Sequence, residues 1–200
     1  TLIRDGQEIF VQVAKEPLGS KGARVTMFVS IPGRYLVLVP EVSHIGVSRR
    51  IEDANERERL KNLVAKFKPE GCGLIVRTAA EGADEETLAR DIQYVNEIWE
   101  QIREKRDAAP SPSLLFKELD VLTKTLRDAY TEDVQRIVID DDVAHQKLEK
   151  FLGSFLPHAL PKLEHYTKRN PIFDEYGIEI DIARALNPKV WLRSGGYIVI

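Results

Sequence analysis

The sequence is poor in the residues that build covalent or metal frameworks. It holds one cysteine, Cys72, and four histidines among 200 residues. A single thiol excludes an intrachain disulfide and a cysteine-based zinc site. His145, His158 and His165 have no HExxH or comparable spacing and read as surface or packing residues. No apolar run approaches the length of a membrane-spanning helix. There is no Walker loop, no GxGxxG, no GxSxG, no internal repeat and no low-complexity tract. Nor is there an excess of charge of either sign. The 29 Lys and Arg face 32 Asp and Glu, a net −3 that makes no global case for nucleic-acid binding.

What is present is globular in composition, with 43% hydrophobic and 30% charged residues, enough for one ordinary domain or two small ones. The charge is uneven. Residues 1–50 carry seven basic and four acidic side chains, so this quarter is +3 and the remainder −6. A local field of that kind can hold a polyanion, although a plain solvated surface accounts for it equally well. Strand patterns lie close to both ends, position 1 is not Met and no targeting segment is in view. The expectation is a segment of a longer protein.

The patterning predicts strands at residues 8–13, 24–30, 35–39, 73–78, 136–140 and 162–166, and a hairpin over 190–200. Residues 35–39 read as a fully apolar strand and 73–78 as a short buried strand with polar residues at its C-terminal end, 31–33 as a break and 41–48 as a loop. Helices are expected over 53–67, 84–106, 119–130, 142–156 and 178–186. In the first of these, Leu60, Leu63, Val64 and Phe67 share a face, and residues 56–59 and Lys61 lie mainly on the other. Ala108 to Ser113 is the best linker. Strand and helix alternate after residue 70, so the class is mixed α and β.

Arg77 and Thr78 are the sharpest chemical feature. They stand where a buried strand gives way to a loop, and open α/β sheets bind ligands at the carboxyl ends of strands. A guanidinium fork and a hydroxyl suit a phosphate monoester, with a structural salt bridge and a turn residue as the plainer account. Ser48, Arg49 and Arg50 suit phosphate contact, or an exposed pair before a helix. Lys21 and Arg24 flank Gly22, where backbone can approach a ligand. Asp140 to Asp142 invite a magnesium reading, but consecutive side chains diverge, and a helix N-cap explains one of them better. Cys72 reads as an inert buried thiol.

Six stretches in register carry a resemblance. They are PLGSKGARVT (17–26), YLVLVP (35–40), GVSRRI (46–51), GLIVRTA (73–79), KLEHYT with PIF (162–167 and 171–173), and SGGYIVI (194–200). Together they resemble the ribonuclease E/G family over essentially the whole chain. SHIGVS (43–48) and KLEHY (162–166) look closer to its ribonuclease G branch than to ribonuclease E.

The resemblance implies a bacterial, magnesium-dependent, single-strand-specific endoribonuclease, cytoplasmic and homo-oligomeric, that prefers RNA with a 5′-monophosphate. It implies that residues 1–27 are the tail of an S1 domain of OB type, 28–121 the 5′ sensor, 122–185 an RNase H-like portion and 186–200 the start of a DNase I-like catalytic domain. It also implies that Arg77 and Thr78 grip the terminal phosphate, with backbone at Gly33, Val37 under the terminal base, Arg49 at the same site and Lys21 as an S1 contact to RNA. The family's metal-binding carboxylates match no residue of this chain. The expectation is therefore no catalytic residue, no bound metal and no cleavage by the segment itself. The alternative is a non-catalytic RNA-binding or scaffold module of the same fold.

Overall fold

The computed structural model describes residues 3–199. Ile200, the last residue of the expected terminal strand, lies outside them. The chain forms two compact units, residues 1–130 and 131–200. The first unit therefore includes a helix that the expected boundary at 121/122 assigns to the next portion.

The first unit begins with an antiparallel hairpin, β1 (Gln12–Lys15) and β2 (Arg24–Thr26). Its body is a four-stranded mixed sheet built from β3 (Ile31–Pro32), β4 (Leu36–Pro40), β5 (Ile45–Val47) and β6 (Cys72–Val76), in the order β3-β4-β6-β5. β4 runs antiparallel to β6, and β5 runs parallel to it. The parallel pair needs a crossover, which helix α1 (Ala54–Phe67) supplies. Helix α2 (Glu85–Ala108) follows, capped by the Asp84 carboxylate on the Thr87 amide at 2.8 Å. Helix α3 (Val121–Ala129) closes the unit, capped by Asp120.

Several expectations are corrected here. β1 lies at Gln12–Lys15 rather than 8–13, and the 24–30 strand is only Arg24–Thr26. Ile31 and Pro32 are a strand instead of a break. Residues 45–47 are β5 rather than loop, because they complete the edge of the sheet beside β6. α3 starts at Val121, two residues later than 119.

β4 and β6 are not buried on both faces. Leu36, Leu38, Leu74 and Val76 are fully buried, whereas Ile75 is 46% exposed and Val37 half-buried. The cause is a single cover layer. α1 and α2 pack on each other and on one face of the sheet through Leu60, Val64, Leu88, Ile92, Val95, Trp99 and Ile102. Strand side chains alternate between faces, so the uncovered face carries a row in direct register: Pro32, Val37, Ile75 and Gly46.

The second unit holds β7 (Ile137–Ile139) parallel to β8 (Leu163–His165), with α4 (Asp142–Phe155) burying Leu148 and Leu152. Short helices α5 (Ile172–Glu175) and α6 (Glu179–Ala185) precede the hairpin of β9 (Lys189–Trp191) and β10 (Tyr197–Val199). Asp141 is the N-cap of α4, accepting from the Ala144 amide at 2.7 Å.

Candidate functional site

β6 ends at Val76, and its ladder continues one residue further on both sides. The Arg77 amide donates to the Tyr35 carbonyl at 2.8 Å, and the Ser48 amide donates to the Val76 carbonyl at 2.9 Å. Arg77 is thereby fixed between the start of β4 and the end of β5. Thr78 opens a 3-10 turn, Thr78–Ala80, whose first internal bond runs from the Ala80 amide to the Arg77 carbonyl. The amides of Thr78 and Ala79 precede that bond, as expected at a helix start. A shallow hollow of about 260 Å³ is lined by Ser48, Arg50, Ile75, Val76, Arg77 and Thr78. It adjoins the uncovered apolar row through Ile75.

The Arg77 guanidinium is directed by one nitrogen. Nη1 donates to the Gly33 carbonyl at 2.7 Å and to Asp128 Oδ1 at 2.8 Å. Gly33 itself is a construction point. Its amide donates to the Leu36 carbonyl at 2.8 Å. A Cβ there would lie 2.5 Å from Asp91 Oδ2, so only glycine admits that carboxylate. Asp91, buried on α2, accepts from the amides of Arg34, Tyr35 and Leu36 at 2.9, 2.8 and 3.1 Å. Burial pushes its carboxyl above the usual range, opposed by these three amides and by Arg77.

Two further braces hold the loops. Arg57 on α1 donates Nη1 to the carbonyls of Ser48 and Ile51 at 2.5 and 3.2 Å, and Nη2 to that of Val47 at 3.3 Å. Glu56 and Arg59 form a two-bond pair at 2.6 and 2.7 Å. Glu56 accepts from the Gly82 amide at 2.8 Å, and Arg59 donates to the Ala83 carbonyl at 3.0 Å. These three residues are half-buried although they lie off the apolar stripe of α1. Their long side chains reach loops, which apolar periodicity does not report.

The Glu56 clamp has a pH signature. Its hydrogen bond from Arg59, with the Gly82 amide, lowers the carboxyl from 4.5 to about 2. The folded value lies below the unfolded one, so the clamp stabilises fully above 4.5 and is lost as pH falls towards 2. Glu56→Gln should lower the melting temperature at pH 7 and converge on wild type near about pH 2. An equal offset at both pH values would mean that charge contributes nothing to the clamp.

The other expected residues are placed as follows. Val37 lies on the uncovered face, in register with Ile75. Arg49 is exposed in the turn after β5 and does not line the hollow, whereas Arg50 does. Lys21 is exposed in the turn of the β1–β2 hairpin, where its backbone pairs with Leu18. Magnesium does not fit the aspartate run. Asp141 caps α4, and Asp142 lies 3.1 Å from His165 Nε2. Among the described residues no group of three His, Cys, Asp or Glu could hold a metal ion. Cys72 is buried, and burial pushes its thiol upward. Among the described residues no helix is long and apolar enough to cross a membrane.

Sequence reasoning missed Asp91, Arg127, Asp128 and Arg57. Two of them left a signal. Asp91 occupies the apolar stripe of α2 between Leu88 and Val95, and Arg127 stands one turn after Thr123, which is also buried. A charge on an inward stripe marks a buried polar anchor.

Arg77, Thr78 and an apolar sheet face meet at the carboxyl end of a central strand. The Ribonuclease E/G family model matches residues 30–200. Ribonuclease G of Escherichia coli K12 is 45% identical over 199 residues, covering all of this chain and 41% of that protein. Ribonuclease G of Haemophilus influenzae is 44% identical, with 40% of its length covered, and Ribonuclease E of a Nostoc species is 39% identical, with 29% covered. The chain belongs to the ribonuclease E/G family. It spans about 41% of the Escherichia coli relative.

Proposed function

We propose that this chain is the part of a cytoplasmic, single-strand-specific endoribonuclease that binds RNA and recognises its 5′-monophosphate, and that it does not itself cut RNA. The observation that carries the reading is the Arg77–Thr78 corner. At the end of a strand fixed on both sides, Arg77 and the exposed Thr78 line one hollow, beside an apolar row that a terminal base can cover. Val37 and Ile75 supply that surface, Arg49 and Arg50 add positive field and Lys21 contacts RNA from the hairpin. Gly33 acts through its carbonyl, which steers Arg77. A monophosphate is compact and multiply charged, and a 5′-hydroxyl offers no anion. Magnesium, homo-oligomeric assembly and the cutting step belong to the whole enzyme. Among the described residues the carboxylates do not fit a metal ion.

The test compares 5′-monophosphate and 5′-hydroxyl oligonucleotides of one sequence. Wild type should prefer the monophosphate. Arg77→Ala should cost about 1.5–3 kcal/mol for that ligand, on the order of ten- to a hundredfold. Binding of the hydroxyl form should barely change. Equal weakening of both ligands would make Arg77 a general backbone contact and sink the reading.

A further inference from the structure

We propose that Asp128 is a positioning residue, which turns the Arg77 guanidinium so that its Nε and Nη2 edge is offered to the terminal phosphate. The proposal rests on the reading of Arg77 and Thr78 given above.

A guanidinium has five N–H donors in one plane, and two parallel ones along an edge match two oxygens of a phosphate. In Arg77 both protein acceptors, the Gly33 carbonyl and Asp128 Oδ1, converge on Nη1. Among the described residues no acceptor bonds to Nε or Nη2. Two acceptors on one nitrogen fix the plane of the group and leave the opposite edge open.

Asp128 is itself held from behind. Arg127 donates Nε to Oδ1 at 3.2 Å and Nη2 to Oδ2 at 3.0 Å. Arg127 is only 3% exposed and donates Nη1 to the Pro32 carbonyl at 3.2 Å. Pro32 and Gly33 are adjacent, so the bonds close a circuit: Gly33 carbonyl, Arg77, Asp128, Arg127, Pro32 carbonyl. A circuit fixes orientation in a way that a single surface pair does not, because each bond is constrained by the next. α3, which carries Arg127 and Asp128, is anchored independently. Arg34 donates to the carbonyls of Leu126 and Arg127 at 3.4 and 2.9 Å and to that of Tyr130. Arg77 is about one third exposed, and an unbraced side chain of that length would lose rotamer freedom when it bound phosphate. Arg127 is shared between Asp128 and Glu118, whose Oε1 accepts from Nη1 and Nη2 at 3.3 Å, so it offsets the charge of Asp128 in part.

The test measures, on the whole 200-residue chain, the ratio of affinities for 5′-monophosphate and 5′-hydroxyl oligonucleotides of one sequence. Asp128→Ala should lower the ratio about five- to tenfold, with hydroxyl binding near wild type. Asp128→Asn retains an acceptor at the same position and should restore most of the ratio. Asp128→Glu retains the charge but displaces the acceptor, and its ratio should stay low. If Asp128→Ala does not fold, the Asn and Glu variants decide between the same outcomes. A ratio raised in both the Ala and Asn variants would make Asp128 a competitor for Arg77 and overturn the proposal. So would an unchanged ratio in the Ala and Glu variants while Arg77→Ala abolishes it. If Arg77→Ala itself leaves the ratio intact, the reading of the site fails, and the positioning role with it.

Discussion

Asp91→Ala should be among the most damaging single substitutions in the first unit, lowering stability by about 3–5 kcal/mol. One carboxylate closes the loop between β3 and β4 by accepting three successive amides. Each buried donor left unpaired costs about 1–3 kcal/mol, and partial access to water at Arg34 and Tyr35 reduces the sum. Removing a desolvated carboxylate returns some of the loss. The melting temperature should fall by roughly 8–15 °C. Asp91→Asn keeps the shape and an acceptor oxygen, so its loss should be smaller, about 1–2 kcal/mol. The loop also carries the Gly33 carbonyl to Arg77, so the monophosphate preference should decline in Asp91→Ala even well below the melting temperature. A melting curve within a degree or two of wild type would show that water replaces the carboxylate at no cost.

Gly73→Ala should be comparably severe, and for a different reason. Gly73 sits in the central strand β6, and a Cβ there would come within 2.7 Å of the His44 carbonyl and 2.8 Å of the Val42 carbonyl. Both obstructing atoms are backbone, so no side chain can rotate away. The segment leading into β5 would have to move, breaking the Leu74 amide bond to the His44 carbonyl. Forced overpacking costs about 1–3 kcal/mol, and the lost bond about 1 more. Chemical denaturation should show the drop, with hydrogen exchange at β5 accelerated ahead of the rest of the sheet. If Gly73→Ala unfolds at the wild-type denaturant concentration, the approach of the two backbones is looser than the distances state.

The elements that bury long apolar stripes were legible in the sequence. Leu88, Ile92, Val95, Trp99 and Ile102 recur at helical spacing, and the Asp84 cap marks where α2 starts. β5 was not legible, because three residues centred on Gly46 show no alternation and become a strand only beside β6. Arg77 and Thr78 could be picked out as donors at a strand end. The circuit through Asp128 and Arg127 could not, because its members are about fifty residues or more from Arg77 and Pro32 in sequence. Apolar periodicity tells which face turns inward. It carries no information on which distant carbonyl a guanidinium will reach.

The division at Tyr130 has a practical consequence for anyone who would excise the first unit. A fragment trimmed at the sequence-derived boundary of residue 121 discards α3. Arg77 would then retain a single tether, at Gly33, and Arg34 would lose all three of its carbonyl partners. Such a fragment keeps the sheet and two helices and loses every bond that ties Arg34 and Arg77 to α3. Carrying the cut beyond Tyr130 keeps α3, and with it the second tether of Arg77.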